Sequence, residues 1–381
     1  MAIGQRHRES DLLLSLAPGY VYQMGISDAE RAVGPLVVGA IDGLEPSAGT
    51  LELLRAGALG GFTLFRRNIT GDLNQLRIRN AALHAASPRP LVLAIDQEGG
   101  RVARLREAPI VQLPSARELS ERFSEAMLTA LGLEVGHQLV ALGFTMNFAP
   151  VLDLHSEPTN PIIGDRAFGV DAASATAKAL AFARGMREAG LGICGKHFPG
   201  HGATTADSHL ELPYIDAPLE VLATREFAPF REAAKQGIDA LMSAHVVYRA
   251  IDSLPATLSR PIATTLLRDE MTFSGVLFSD DLRMKALSGA PEETAVASIA
   301  AGCDAVLVCE DESLVRRVVA RLAAEYEASD EFRARCTQAR ERFDALANRY
   351  LCAASVDAPT LGATLRRSEN DAVSVLWGAR S

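Results

Sequence analysis

Leu191-Gly192-Ile193-Cys194-Gly195-Lys196-His197-Phe198-Pro199-Gly200-His201-Gly202 joins two kinds of chain in one stretch. An apolar run through Cys194 breaks off at a Lys–His pair. A proline and two glycines then hold the chain out of any regular element as far as Asp207-Ser208-His209, where a carboxylate and an imidazole stand one residue apart. A short strand that releases a loop of titratable groups is the usual setting of an active site. Surface histidines or a metal cluster would give the same local pattern.

Apolar runs of the same kind recur on both sides: Leu36–Gly39, Gly61–Phe65, Leu91–Ile95, Thr145–Ala149, then Gly192–Gly195, Ala240–Ala244, Val276–Ser279 and Ala305–Cys309. They are apolar throughout rather than alternating, as parallel strands buried on both faces must be. Helix-like stretches separate them, at Asp72–Ala86, Ala116–Leu142, Ala172–Ala189, Leu219–Lys235 and Pro291–Ala301. Eight such strands alternating with helices predict an α/β fold, a single (β/α)8 TIM-type barrel. A doubly wound open sheet is the alternative. It would want a glycine-rich phosphate turn after the first strand, and Gly39-Ala40-Ile41-Asp42-Gly43 fits that poorly. Residues 1–33 read as a helical lead-in broken at Pro18-Gly19, 34–352 as the catalytic barrel, and 353–381 as a tail without clear pattern, wrapping the barrel or fraying. Within the barrel segment, Leu314–Leu351 is charged and helical in period.

A barrel of this kind places its chemistry at the C-terminal ends of its strands. There the third run meets Asp96-Gln97-Glu98, the fourth is followed by Asp153, the fifth ends in Lys196-His197, the sixth in His245 and the seventh in Asp280-Asp281. Polar groups at five strand ends converge on one rim, which marks an active site there. A G-x-S-x-G turn, a P-loop and a dinucleotide fingerprint are all missing. Two chemistries remain. One is a metal-assisted hydrolase using His197, His201, His209, His245 and Asp280. The other is carboxylate chemistry on a sugar, with one acid as nucleophile and a second group as proton donor.

Composition narrows the partners. Of 381 residues, 48% are hydrophobic and 22% charged, enough for a sizeable core, and the formal charge of −9 argues against a nucleic-acid footprint. The five cysteines are odd in number and lack C-x-x-C spacing, as in a reduced cytoplasmic protein. The run Leu12–Ala17 is too short for the apolar region of a signal peptide, and no run approaches a membrane span. A monomer acting on a small molecule, with no nucleic acid and no membrane partner, is the expectation.

Six motifs in order resemble the β-N-acetylglucosaminidases of glycoside hydrolase family 3: D-Q-E-G-G-R-V-A-R at Asp96–Arg104, N-F-A-P-V-L-D at Asn147–Asp153, I-G-D-R-A-F-G at Ile163–Gly169, K-H-F-P-G-H-G at Lys196–Gly202, D-S-H at Asp207–His209 and F-S-D-D-L-R-M at Phe278–Met284. The resemblance spans roughly Gly34 to Leu351. It implies Asp280 as nucleophile, His209 as general acid and base with Asp207 holding its ring, and Asp96, Arg104, Arg166, Lys196 and His197 as sugar-binding residues. It implies no cofactor and no metal. The substrate it implies is a terminal β-linked N-acetylglucosamine in a disaccharide or muropeptide from peptidoglycan recycling.

The residues agree with this chemistry. A carboxylate on a strand end can attack an anomeric carbon, and an Asp-x-His pair can give and take a proton. Glu98, beside Gly99-Gly100, reads as a brace for its turn. Asp281 reads as pairing with a neighbour or raising the pKa of its partner by like charge. His201 and His245 read as orienting or core residues. Family members acting on glucose usually carry a second domain that supplies a glutamate as acid. About 30 residues follow Leu351 here, too few for another core. A phosphorolytic relative with another sugar and a metal-dependent barrel hydrolase stay open as alternatives. Against the latter, Val38-Gly39-Ala40 supplies no His-x-His on the first strand.

Overall fold

The computed structural model describes residues 25–69, 71–205, 212–351 and 358–378. Its centre is a closed barrel of eight parallel strands. In chain order these are β1 (Val37–Ala40), β2 (Gly61–Leu64), β3 (Val92–Ile95), β4 (Met146–Asn147), β5 (Gly192–Phe198), β6 (Ala240–Ser243), β7 (Val276–Asp281) and β8 (Ala305–Leu307). Each strand pairs with the next, and β1 closes on β8 through Val37–Val306 and Val38–Leu307. Seven of the eight are buried along their whole length, and β7 emerges only at Asp280 and Asp281. Burial on both faces is why their sequences are continuously apolar.

Around the barrel lie α1 (Asp28–Val33), α2 (Ala48–Arg55), α3 (Leu73–Ala86), α4 (Ala116–Arg122), α5 (Glu125–Ala141), α6 (Ala172–Glu188), α7 (Leu219–Thr224) and α8 (Ala228–Lys235). A π-helical segment (Pro261–Glu270), α9 (Pro291–Ala301), α10 (Glu312–Ala328), α11 (Asp330–Arg349) and α12 (Ala358–Gly378) complete the ring. Three expected helices are each divided in two. Ala116–Leu142 breaks at Phe123-Ser124, where the Ser124 side chain accepts from Met127 N and starts a new helix. Leu219–Lys235 breaks before Pro229, which sits in the first turn of α8. Leu314–Leu351 breaks at Ser329, which caps α11 through Phe332 N. The tail expected to lack pattern forms α12, which packs on α5 with Leu361, Leu365, Ala372 and Leu376 buried. Gln138 of α5 donates to Leu365 O at 3.1 Å. Of the lead-in, Asp28–Val33 is helical, and the Pro18-Gly19 break lies outside the described residues.

Two buried carboxylates tie the N-terminal end of the barrel to its outer helices. Asp304, just before β8, accepts from Arg268 (2.6 Å), Arg335 (2.7 Å), Arg342 (3.0 Å) and Leu277 N (3.0 Å). Asp239, just before β6, accepts from Tyr350 Oη (2.8 Å), Arg349 (3.1 Å) and Ile193 N (3.3 Å), with Arg187 at 3.3 Å. Both are fully paired, as charges out of water must be.

Candidate active site

At the opposite, C-terminal end of the strands lies a cavity of about 270 Å³. Asp96, Glu98, Arg104, Arg166, Lys196, His197, His201, Asp280 and Asp281 line it, over apolar contacts from Phe148, Met242 and Leu307. Asp96 follows β3 directly, Lys196 and His197 lie within β5, and Asp280 and Asp281 end β7. Asp96, Arg104, Arg166, Lys196, His197 and Asp280, the described residues for which the resemblance implies a role, are therefore in one place, while Asp153 and His245 of the strand-end set are not among the lining residues. Asp207 and His209 lie outside the described residues.

The charged groups form a connected cluster. Lys196 Nζ sits 2.6 Å from Asp96 Oδ1 and 2.7 Å from Glu98 Oε1. Arg104 donates to Asp96 Oδ2 at 3.0 Å. Arg166 grips Glu98 with two parallel bonds of 2.9 Å each, the strongest geometry available to this pair. Burial pushes Asp96 upward, but the Lys196 ammonium and Arg104 guanidinium outweigh it and hold the carboxyl well below the usual range. Burial likewise opposes Glu98, and Arg166 and Lys196 bring it down to about 2. Lys196 is shifted upward: burial acts against its charge, and Asp96 and Glu98 prevail. All three stay ionised at neutral pH, a fixed array of charge and donors for a ligand dense in hydroxyls. Arg104 keeps its buried Nε without a partner among the described residues, a donor in reserve.

Asp153 organises the K-H-F-P-G-H-G stretch. Its carboxylate accepts from the His197 ring (Nδ1, 2.6 Å), from His197 N (3.1 Å) and from His201 N (2.7 Å). That bond assigns the Nδ1 proton and leaves His197 Nε2 free of this carboxylate. His201 is buried, and burial followed by the neighbouring His197 drops its pKa to about 4. A neutral His201 accepts or donates through Nδ1 with Thr204 Oγ1 at 2.9 Å, an orienting role rather than that of an acid. The glycines have specific tasks. Gly200 adopts φ +133°, and a Cβ on Gly202 would lie 1.5 Å from Leu154 O. Tyr248 donates its hydroxyl to Gly200 O.

On β7, Asp281 N donates to Asp280 Oδ1 at 2.8 Å. Asp281 accepts instead from Arg283 N (3.1 Å) and Cys309 N (3.2 Å). Its own carboxyl is pushed up by burial, with the Asp280 charge adding to it. His245 bonds Asp281 O at 3.0 Å and Thr257 Oγ1 at 2.8 Å, so it holds the backbone of this strand end and is not among the cavity-lining groups. Sequence reasoning undervalued Glu98. It does more than brace its turn, since it holds both Arg166 and Lys196 in the cavity wall. Its run of acidic and glycine residues gives no sign of an arginine 68 positions away. Among the described residues no cluster of three His, Cys, Asp or Glu side chains has the arrangement to hold a metal ion.

The sequence signature described as the Glycosyl hydrolase family 3 N terminal domain matches residues 21–345. The chain belongs to glycosyl hydrolase family 3. It is 40% identical to a β-hexosaminidase of Bordetella parapertussis over 284 residues, 72% of this chain and 80% of that one. Among solved structures, a family 3 β-N-acetylglucosaminidase from Paenibacillus sp. str. FPU-7 superposes with a TM-score of 0.81 at 33% identity, covering 90% of this chain and 68% of that one. NagZ from Neisseria gonorrhoeae, solved with N-trifluoroacetyl-D-glucosamine, gives 0.70 at 32% identity, covering 89% of this chain and 98% of that one. This family 3 member is a glycoside hydrolase.

Proposed function

We propose that this enzyme is a retaining β-N-acetylglucosaminidase that removes terminal β-linked N-acetylglucosamine. One observation carries the reading: the Asp280 carboxylate opens into the same sugar-sized cavity as the cluster of Asp96, Glu98, Arg104, Arg166, Lys196 and His197. In this reading the cluster grips the hydroxyls and the acetamido group. An Asp280 oxygen attacks the anomeric carbon as the bond to the leaving oxygen breaks, and a protonated His209 gives that oxygen its proton. The neutral imidazole then takes a proton from water as the water displaces Asp280, so the anomeric configuration is retained. Asp207 orients and charges the His209 ring. Residues 34–352 act as the catalytic unit, flanked by 1–33 and 353–381.

The β-hexosaminidase relatives and the glucosamine derivative bound to Neisseria NagZ support the choice of sugar. The proposed context is the breakdown of peptidoglycan-derived disaccharides or muropeptides in the cytoplasm, by a monomer. The test compares nitrophenyl β-N-acetylglucosaminide with the matching β-glucoside, with and without phosphate and chelator. A site built to bond an acetamide is left with unpaired groups by glucose, so kcat/KM should favour the former by at least ~100-fold. Comparable rates on the two sugars would overturn the reading. Dependence on phosphate or on a divalent metal would replace the hydrolytic mechanism.

A further inference from the structure

Thr63 carries a hydroxyl that has nothing to bond. It lies in β2, is 1% exposed and lines the cavity, and among the described residues its Oγ1 has no hydrogen-bond partner. Its register partners on the two flanking strands are Ala40 and Ala94, which offer only methyl groups. The same cavity is lined by the apolar side chains of Phe148, Met242 and Leu307. A buried, unbonded hydroxyl opposes folding. Valine would give the same branched shape and the same fit to a strand without that cost. The polar atom therefore does nothing for the empty barrel that valine would not do better.

A sugar changes this. A threonine hydroxyl both donates and accepts, as a sugar hydroxyl does. Leu64 pairs with Ile95, so Thr63 lies below the level of Asp96, on the barrel side of the charged cluster. It meets whatever part of the ring enters deepest, where Asp96, Glu98, Arg104, Arg166 and Lys196 do not supply the floor. Resting on the glycosidase reading above, we propose that Thr63 is a specificity-determining residue of the sugar subsite, whose hydroxyl pairs with one hydroxyl group of the bound hexosaminide.

The experiment compares wild type, Thr63→Val and Thr63→Ser on a nitrophenyl β-N-acetylglucosaminide and its 3-, 4- and 6-deoxy analogues, with urea midpoints measured alongside. Thr63→Val is expected to lose about tenfold in kcat/KM on the parent sugar, the scale of one hydrogen bond. Its urea midpoint is expected to rise, because an unbonded polar atom has gone. On one deoxy analogue the variant and wild type should become equal, and Thr63→Ser should stay within about threefold of wild type. A parent rate unchanged in Thr63→Val would overturn the proposal. So would the same loss on every deoxy analogue, which would mean a general distortion. Thr63→Ala carries the same comparison if the valine variant does not fold. Wild-type protein inert on the parent glycoside would sink the glycosidase reading itself, a result separable from either of these.

Discussion

Replacing Glu98 by glutamine keeps the size of the side chain and removes one charge from the middle of the cavity's ion cluster. Arg166 then loses its two-bond partner, and Lys196 keeps only Asp96. Burial works against the Glu98 carboxylate, yet Arg166 and Lys196 hold it at about 2 where a free glutamate lies at 4.5. That difference corresponds to about 3 kcal/mol favouring the ionised, folded form. Because the folded value lies below the unfolded one, the contribution is fully present above pH 4.5 and disappears as the pH falls through about 2. Urea unfolding at pH 7 should therefore show Glu98→Gln less stable by about 3 kcal/mol. The deficit should shrink steadily as both proteins are taken below pH 4.5, for as long as wild type stays folded. Activity should fall with it, by roughly 100-fold in kcat/KM, since two cations that line the cavity lose their fixed positions. A variant within about 0.5 kcal/mol of wild type at pH 7, or a deficit equally large at pH 7 and pH 3, would refute the view that an ionised Glu98 holds the cluster.

Asp280→Asn should fold normally and lose turnover by at least ~1,000-fold, the scale of a missing nucleophile. A fluoro-sugar inactivator should be found by mass spectrometry on Asp280, and a label elsewhere would reassign the nucleophile. His209→Ala should suffer most on substrates with poor leaving groups and least on nitrophenyl glycosides, whose leaving oxygen departs without a proton. Equal losses on both would reduce His209 to a positioning residue. Ending the chain at residue 357 removes α12 and uncovers α5. The three buried leucines Leu361, Leu365 and Leu376, at about 2 kcal/mol each, predict a loss of about 6 kcal/mol and a tendency to aggregate, read by urea unfolding and light scattering.

The barrel was legible because parallel strands covered on both faces leave unbroken apolar runs, such as Val92–Ile95 and Val276–Phe278. The rim was legible because five of the runs lead into titratable residues, Asp96, Asp153, Lys196-His197, His245 and Asp280. The divided helices were not, since Ser124 and Ser329 cap new helices inside what reads as one continuous period. For α12 the signal existed: Leu361, Leu365, Ala372 and Leu376 fall on one helical face, but polar residues between them dilute it. Glu98 and Thr63 depended on distance in space. The carboxylate's arginine is far along the chain, and nothing in Gly61-Phe62-Thr63-Leu64 marks Thr63 as a cavity-lining residue with an unbonded hydroxyl.

The two carboxylates at the base of the barrel have a consequence for the order in which the molecule can become stable. Asp304 draws two of its three arginines, and Asp239 draws Arg349 and Tyr350, from the stretch Arg335–Tyr350. A chain emerging from the ribosome presents all eight strands by Leu307. Until Arg335 is released Asp304 has only Arg268, and until Arg349 is released Asp239 has only Arg187, among their cationic partners in the described residues. A nascent barrel must therefore leave those strand ends open to water or shelter half-paired charges. Synthesis delivers this fastening after all eight strands, so the barrel should gain its protease resistance late, once residue 350 is out and after the strand ends that line the cavity have been made.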